Sequence, residues 1–261
     1  MDLSLKEKIA IICGSTQGIG LAIAKELALS GANCILLARN EISLQQAINL
    51  LDTSQGQQHE YAIADFSNNS QVRTAVEKIV QSRTVHILVN NTGGPPPGAI
   101  TEASPENFSN AFQQHIINNQ LLVQAVLPGM KKSGYGRIIN IISTSVKIPI
   151  ANLGVSNTTR AATAAWAKTL SLEVAEYGIT VNNILPGYTK TSRLDSLITT
   201  NAGRQNITKE ELTVKMQQQI PARRFGEAEE IAAVAAFLAS PAASYVNGVS
   251  IPVDGGKTGT I

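Results

Sequence analysis

Cys13-Gly14-Ser15-Thr16-Gln17-Gly18-Ile19-Gly20 stands between a short apolar run, residues 8–13, and a helix-like stretch, residues 18–30. The run is rich in β-branched residues and reads as a buried strand. The stretch that follows puts Ile19, Ala22, Ile23 and Leu27 on one helical face and stops at Gly31. Glycines at 14, 18 and 20 let the backbone turn sharply and come close to a ligand. A helix starting there offers an anion its unpaired N–H groups and the positive end of its dipole. Strand, glycine loop and helix in that order make a pyrophosphate cradle, with Gly14, Ser15, Thr16, Gln17, Gly18, Ile19 and Gly20 as its expected contacts.

Outward from the cradle the same alternation continues. Residues 33–38, 60–64, 85–90, 137–142, 180–185 and 249–253 repeat the strand signal. Helical stretches lie between them, near residues 43–51 and 70–81, and from Ser104-Pro105 toward Pro128-Gly129, where Ser is the N-cap and Pro opens the first turn. Strands alternating with helices of this length predict an α/β fold with a parallel sheet covered on both faces. Right-handed crossovers then gather the strand C-termini along one edge, where ligands bind. No repeat or linker divides the chain, so residues 1–261 are expected to form a single domain. The longest irregular piece, 188–224, is polar and follows a strand. It reads as a substrate loop or lid, or else as a surface insertion.

The bulk composition is that of an ordinary globular chain: 261 residues, 43% hydrophobic and 15% charged. A net charge of +2 with no basic cluster gives no sign of nucleic acid or a membrane surface as partner. No apolar stretch is long enough to span a bilayer, and the first residues do not resemble a signal peptide. Cys13 and Cys34, each inside a strand, read as buried reduced thiols, so a cytoplasmic protein is expected. His59 and His86 have no partners at metal-ligand spacing, and no zinc-type cluster is present.

At the end of the second strand, Ala38 offers no carboxylate to an adenosine 2′-hydroxyl, whereas Arg39 offers a cationic fork suited to a 2′-phosphate. This favours NADP(H) over NAD(H). The other reading is that Arg39 stacks on the adenine. Gly93-Gly94-Pro95-Pro96-Pro97-Gly98 is expected to form a stiff pocket rim, or alternatively a peptide-docking segment.

Motifs in order along nearly the whole chain resemble the short-chain dehydrogenase/reductase family, and within it the 3-oxoacyl-carrier-protein reductases. The GxxxGxG loop, Asp65 at the end of the third strand, Asn90-Asn91-Thr92-Gly93, Ser143 after the fifth strand, Pro186-Gly187 and Asp254-Gly255-Gly256 all match. The resemblance implies a Rossmann-type, doubly wound, seven-stranded sheet, a nicotinamide cofactor, a small carbonyl or alcohol substrate and a homotetramer or homodimer. It places Asp65 at the adenine, and Asn91, Gly93, Pro186, Gly187, Thr189 and Thr191 along the cofactor, with Thr191 at the nicotinamide carboxamide. Ser143 takes the catalytic serine position.

Three positions depart from the family. Where it has a proton-transferring Tyr and a Lys, this chain has Ser156 and Arg160. Where the fourth helix carries an active-site Asn, it has His115. An aliphatic hydroxyl is a far weaker acid than a phenol and reaches less far. Arg160 keeps the positive field and can bond ribose hydroxyls, but it does not release a proton at ordinary pH. One expectation is that His115 supplies the proton, directly or through water, because imidazole titrates near neutrality. A second candidate is Tyr188, whose other reading is a pocket wall. Two functions stay open: an NADP(H)-dependent oxidoreductase with an atypical proton donor, and a catalytically degenerate dinucleotide-binding sensor or partner subunit. A third, weaker option is lyase or isomerase chemistry around a structural cofactor.

Overall fold

The computed structural model describes residues 1–260. Seven strands form one sheet: β1 (Ile9–Cys13), β2 (Asn33–Ala38), β3 (Glu60–Ile63), β4 (Ile87–Asn90), β5 (Gly136–Ile141), β6 (Ile179–Pro186) and β7 (Ser250–Val253). Their order across the sheet is β3-β2-β1-β4-β5-β6-β7, and every pairing is parallel. The order reverses between β1 and β4, as in a doubly wound sheet, and ligands bind at that switch point.

Period-two alternation sends each strand's side chains to two separate cores. Ile12, Leu36 and Val89 pack on one face against α1 (Gly18–Leu29) and α9 (Ala228–Ala239). Ile11, Leu37 and Leu88 pack on the other against α3 (Asn69–Ser82), α5 (Asn118–Ser133) and α6 (Gly154–Val174). α2 (Glu41–Ile48) is short and is capped by Asn40, which accepts from the Ser43 amide at 2.8 Å. Cys13 and Cys34 are free and fully buried, and burial pushes the Cys13 thiol up to about 12. His86 and His59 are structural. The Nδ1 of His86 accepts from the Ile9 amide at the start of β1, and that of His59 accepts from the Cys34 amide in β2, each at 3.1 Å.

Two expectations need correction. The helical stretch from Ser104 does not end near Pro128. It begins as α4 (Pro105–Phe112), widens into a π turn over Gln113–Ile117, and continues as α5 through Pro128 to Ser133. The segment 188–224 is not irregular. It folds into α7 (Ser192–Gln205) and α8 (Lys209–Gln218), which share a small core of Leu194, Ile198, Leu212, Met216, Ile220 and Phe225. Thr191 caps α7, accepting from the Leu194 amide, and Thr208 with Glu211 forms a capping box on α8.

Candidate active site

A cleft of about 550 Å³ opens along the C-terminal ends of the strands. Its floor is the glycine loop. Gly14 and Gly18 hold φ values of +58° and +53°, which favour glycine. A Cβ on Gly14 would come 2.5 Å from the Asn91 carbonyl oxygen, and one on Gly20 would come 2.2 Å from that of Gly14. Asn91 locks the loop from the side, its Nδ2 donating to the carbonyls of Cys13 and Gly14. At the start of α1 the Gln17 side chain caps nothing, and the first turn holds no acidic residue. The first amides of the helix are therefore available to an anion. This cradle fits a dinucleotide pyrophosphate.

Arg39, Asp65, Gly93, Pro186, Gly187, Thr189 and Thr191 line the same cleft, as do Thr16, Gln17 and Ile19. Ser15 does not. Its side chain is fully buried and its hydroxyl has no partner among the described residues. The Ser15 side chain therefore lies in the interior, and what this residue brings to the glycine loop is its backbone.

Ser143, Ser156, Arg160 and Tyr188 line the same cleft. Ser143 ends the extension of β5, and its Oγ accepts from the Ser145 amide at 3.1 Å, which leaves the hydroxyl hydrogen to donate elsewhere. Ser156 lies one turn before Arg160 on α6. The start of that helix is fixed because a Cβ on Gly154 would fall 2.4 Å from the Ile100 Cβ, and because Asn157 brackets the backbone of Ile150. The Arg160 guanidinium is buried and donates to the carbonyls of Ile141 (2.9 Å) and Thr92 (3.3 Å), tying α6 to the ends of β5 and β4. Burial, then the nearby Arg193, pushes it down to about 10, so it stays charged at neutral pH.

His115 sits on the π turn and is 2% exposed, behind the cleft wall rather than on it. Its Nδ1 lies 2.7 Å from the Thr92 Oγ1, and its Nε2 has no partner among the described residues. Burial, followed by the charges of Arg160 and Arg193, holds its pKa down at about 2. The expectation of an imidazole titrating near neutrality is therefore corrected: the ring is neutral. An orphaned N–H is costlier than an orphaned lone pair, so the favoured tautomer donates from Nδ1 to Thr92. Tyr188 packs edge-on against Phe225 with ring centroids 6.1 Å apart and lies beneath the Lys257 ammonium. Burial raises its phenol above the usual range, which suits a wall better than an acid.

Two lining residues had no expected role. Thr92 was visible only as part of Asn90-Asn91-Thr92-Gly93, and the signal available was a hydroxyl where the resembling motif has a methyl. Arg193, on the first turn of α7, donates to the carbonyls of Gly94 (2.8 Å) and Pro95 (3.2 Å), and so stitches the glycine–proline rim to α7. No group of metal-ligating side chains occurs among the described residues. No described helix is long and apolar enough to cross a membrane.

Comparison with known proteins agrees with this geometry. Residues 14–258 match the family described as enoyl-(acyl carrier protein) reductase. The NADPH-dependent reductase BacG of Bacillus subtilis is 29% identical over 98% of this chain and 100% of its own. The 3-oxoacyl-[acyl-carrier-protein] reductase FabG of Vibrio cholerae is 32% identical over 97% of this chain and 98% of its own. The crystal structure of L-sorbose reductase from Gluconobacter frateurii, complexed with NADPH and L-sorbose, superposes with a TM-score of 0.93 at 31% identity, covering all of both chains. With its glycine cradle, its sheet order and these relatives, the chain belongs to the short-chain dehydrogenase/reductase family of oxidoreductases.

Proposed function

We propose that this protein is an NADP(H)-dependent oxidoreductase that interconverts a carbonyl and an alcohol on a small molecule, with Ser156 and Arg160 standing where relatives place a phenol and an ammonium. The observation that carries the reading is that the glycine cradle and the Ser143–Ser156–Arg160 cluster open into one cleft. The preference for NADP(H) is supported by Arg39 in the cleft wall, by Ala38 in place of a carboxylate, and by NADPH in the names of the relatives.

A nicotinamide held in this cleft would supply the hydride for the carbonyl carbon. The chain's own residues must then place the substrate oxygen and deliver a proton to it. Ser143 donates a hydrogen bond to that oxygen, and the positive field of Arg160 stabilises the charge that develops on it, with an N–H left that would bond a ribose hydroxyl. The proton comes from Thr92 Oγ1, and His115 Nδ1–H moves up to replace it. A neutral imidazole serves this role when its surroundings disfavour imidazolium. The buried Arg160 guanidinium, the larger of the two charges that disfavour imidazolium, stabilises the anionic ring for the same electrostatic reason. Water restores the proton after the product leaves.

The test is a comparison of Thr92→Val and Tyr188→Phe with the wild type, across a panel of ketones. Thr92→Val is expected to lower kcat about 100-fold with NADPH affinity within about twofold, and Tyr188→Phe to leave kcat within about threefold. A Thr92→Val enzyme as fast as the wild type would rule out the relay. Tight NADPH binding with no turnover of any substrate would favour the second reading, a dinucleotide-binding sensor or partner subunit.

A further inference from the structure

Cations crowd the substrate end of the cleft. The lining holds Arg39, Arg160, Arg193 and Lys257, and among the described residues its one carboxylate is Asp65. Asp65 feels the charge of Arg39 at the adenosine end, so it does nothing for the other three. The four ion pairs of the described residues, Arg83–Glu60, Lys190–Glu227, Lys209–Asp195 and Arg224–Glu230, involve none of these cations. Arg160 and Arg193 are bonded only to backbone carbonyls, of Ile141, Thr92, Gly94 and Pro95.

The two guanidiniums also converge. A Cβ on Gly94 would lie 2.7 Å from Arg193 Nη2 and 3.4 Å from Arg160 Nη2, so both forks flank a single backbone position, and the approach depends on a residue with no side chain there. Two like charges held this close, one of them buried, are unfavourable unless an anion joins them. The cofactor's phosphates already have partners in the α1 amides and Arg39. Two planar forks side by side match the geometry of a carboxylate.

We infer that the substrate is a carboxylate-bearing carbonyl or hydroxy compound whose carboxylate is held by Arg193 and Arg160 beside Gly94. The inference rests on the oxidoreductase reading for the identity of the reacting group, but the anion site itself can be measured without turnover.

Wild type, Arg193→Gln and Arg193→Lys are assayed with NADPH against α-, β- and γ-oxo carboxylic acids and the methyl ester of each. Binding of the same acids to the NADP⁺ complex is followed by calorimetry. The best acid is expected to exceed its ester about tenfold or more in kcat/KM. Arg193→Gln should raise the KM for the acid about tenfold while changing kcat, ester turnover and NADPH affinity by less than about threefold, and Arg193→Lys should recover part of the loss. An ester used as well as its acid would overturn the inference. So would an Arg193→Gln that weakens NADPH as much as the acid, because the arginine would then belong to the cofactor's phosphates. If no compound turns over but acids bind the wild type and not Arg193→Gln, the anion site stands and the oxidoreductase reading falls. Acids that neither turn over nor bind overturn the anion site.

Discussion

His115 illustrates how its surroundings set what a residue can do. Its ordinary pKa in an unfolded chain is about 6.5, and in the folded protein burial and two arginines push it down to about 2. Between those values the unfolded chain takes up a proton that the folded chain refuses. Stability is therefore complete above about pH 6.5 and is lost as the pH falls toward 2. At pH 5 this histidine alone should cost about 2 kcal/mol relative to pH 7. Urea unfolding of wild type and His115→Gln at both pH values isolates it from the carboxylates, which titrate lower. The loss on going from pH 7 to pH 5 should be about 2 kcal/mol larger in the wild type. An equal loss in the two proteins would mean that the folded ring accepts a proton.

At the scale of elements, the sheet is pinned near its ligand edge by a line of amides. Asn90 at the end of β4 donates to Asn140 in β5 (2.8 Å), Asn140 to Asn183 in β6 (2.9 Å), and Asn183 to Ser250 in β7 (3.0 Å). The strand register puts these residues side by side, and the three asparagines are buried. Asn140→Leu keeps the branched shape but leaves a buried donor on Asn90 and a buried acceptor on Asn183 unpaired. It should cost about 3 kcal/mol in urea unfolding; a cost below about 1 kcal/mol would show that water or rearrangement replaces the chain of bonds. This ladder was not legible in the sequence, because Asn90, Asn140 and Asn183 align only once strand order and register are known. The strands themselves were legible, since their apolar runs and flanking glycines are local signals. α7 and α8 were hidden by Thr and Asn, which have modest helix propensity, and by a run of polar Gln that blurs the apolar stripe. Their stabilisation comes from Leu194, Ile198, Leu212 and Met216 packing on each other and from the Thr208–Glu211 capping box. The box was readable in retrospect. Of the site, the cradle and the Ser143–Ser156–Arg160 cluster were legible as motifs. The turning of Ser15 into the interior, the retreat of His115 behind Thr92 and the convergence of Arg160 and Arg193 on Gly94 depend on tertiary placement that spacing does not encode.

For the molecule as a whole, one cleft has two electrostatic ends. One end, by β2 and β3, holds Arg39 whose charge reaches Asp65, and the other carries Arg160, Arg193 and Lys257 with three hydroxyl-bearing residues, Thr92, Ser143 and Ser156. Between them runs a glycine floor too tight for any side chain at Gly14 or Gly20. That arrangement sets the glycine loop and the Ser143–Ser156–Arg160 cluster around one continuous cleft. The most direct measurement is a fluorescence titration of wild type and Arg39→Ala with NADPH and with NADH. The wild type should bind NADPH saturably and about tenfold or more tighter than NADH, and Arg39→Ala should bring the two close to parity. Saturable binding of neither coenzyme to the wild-type protein would contradict the account at its base.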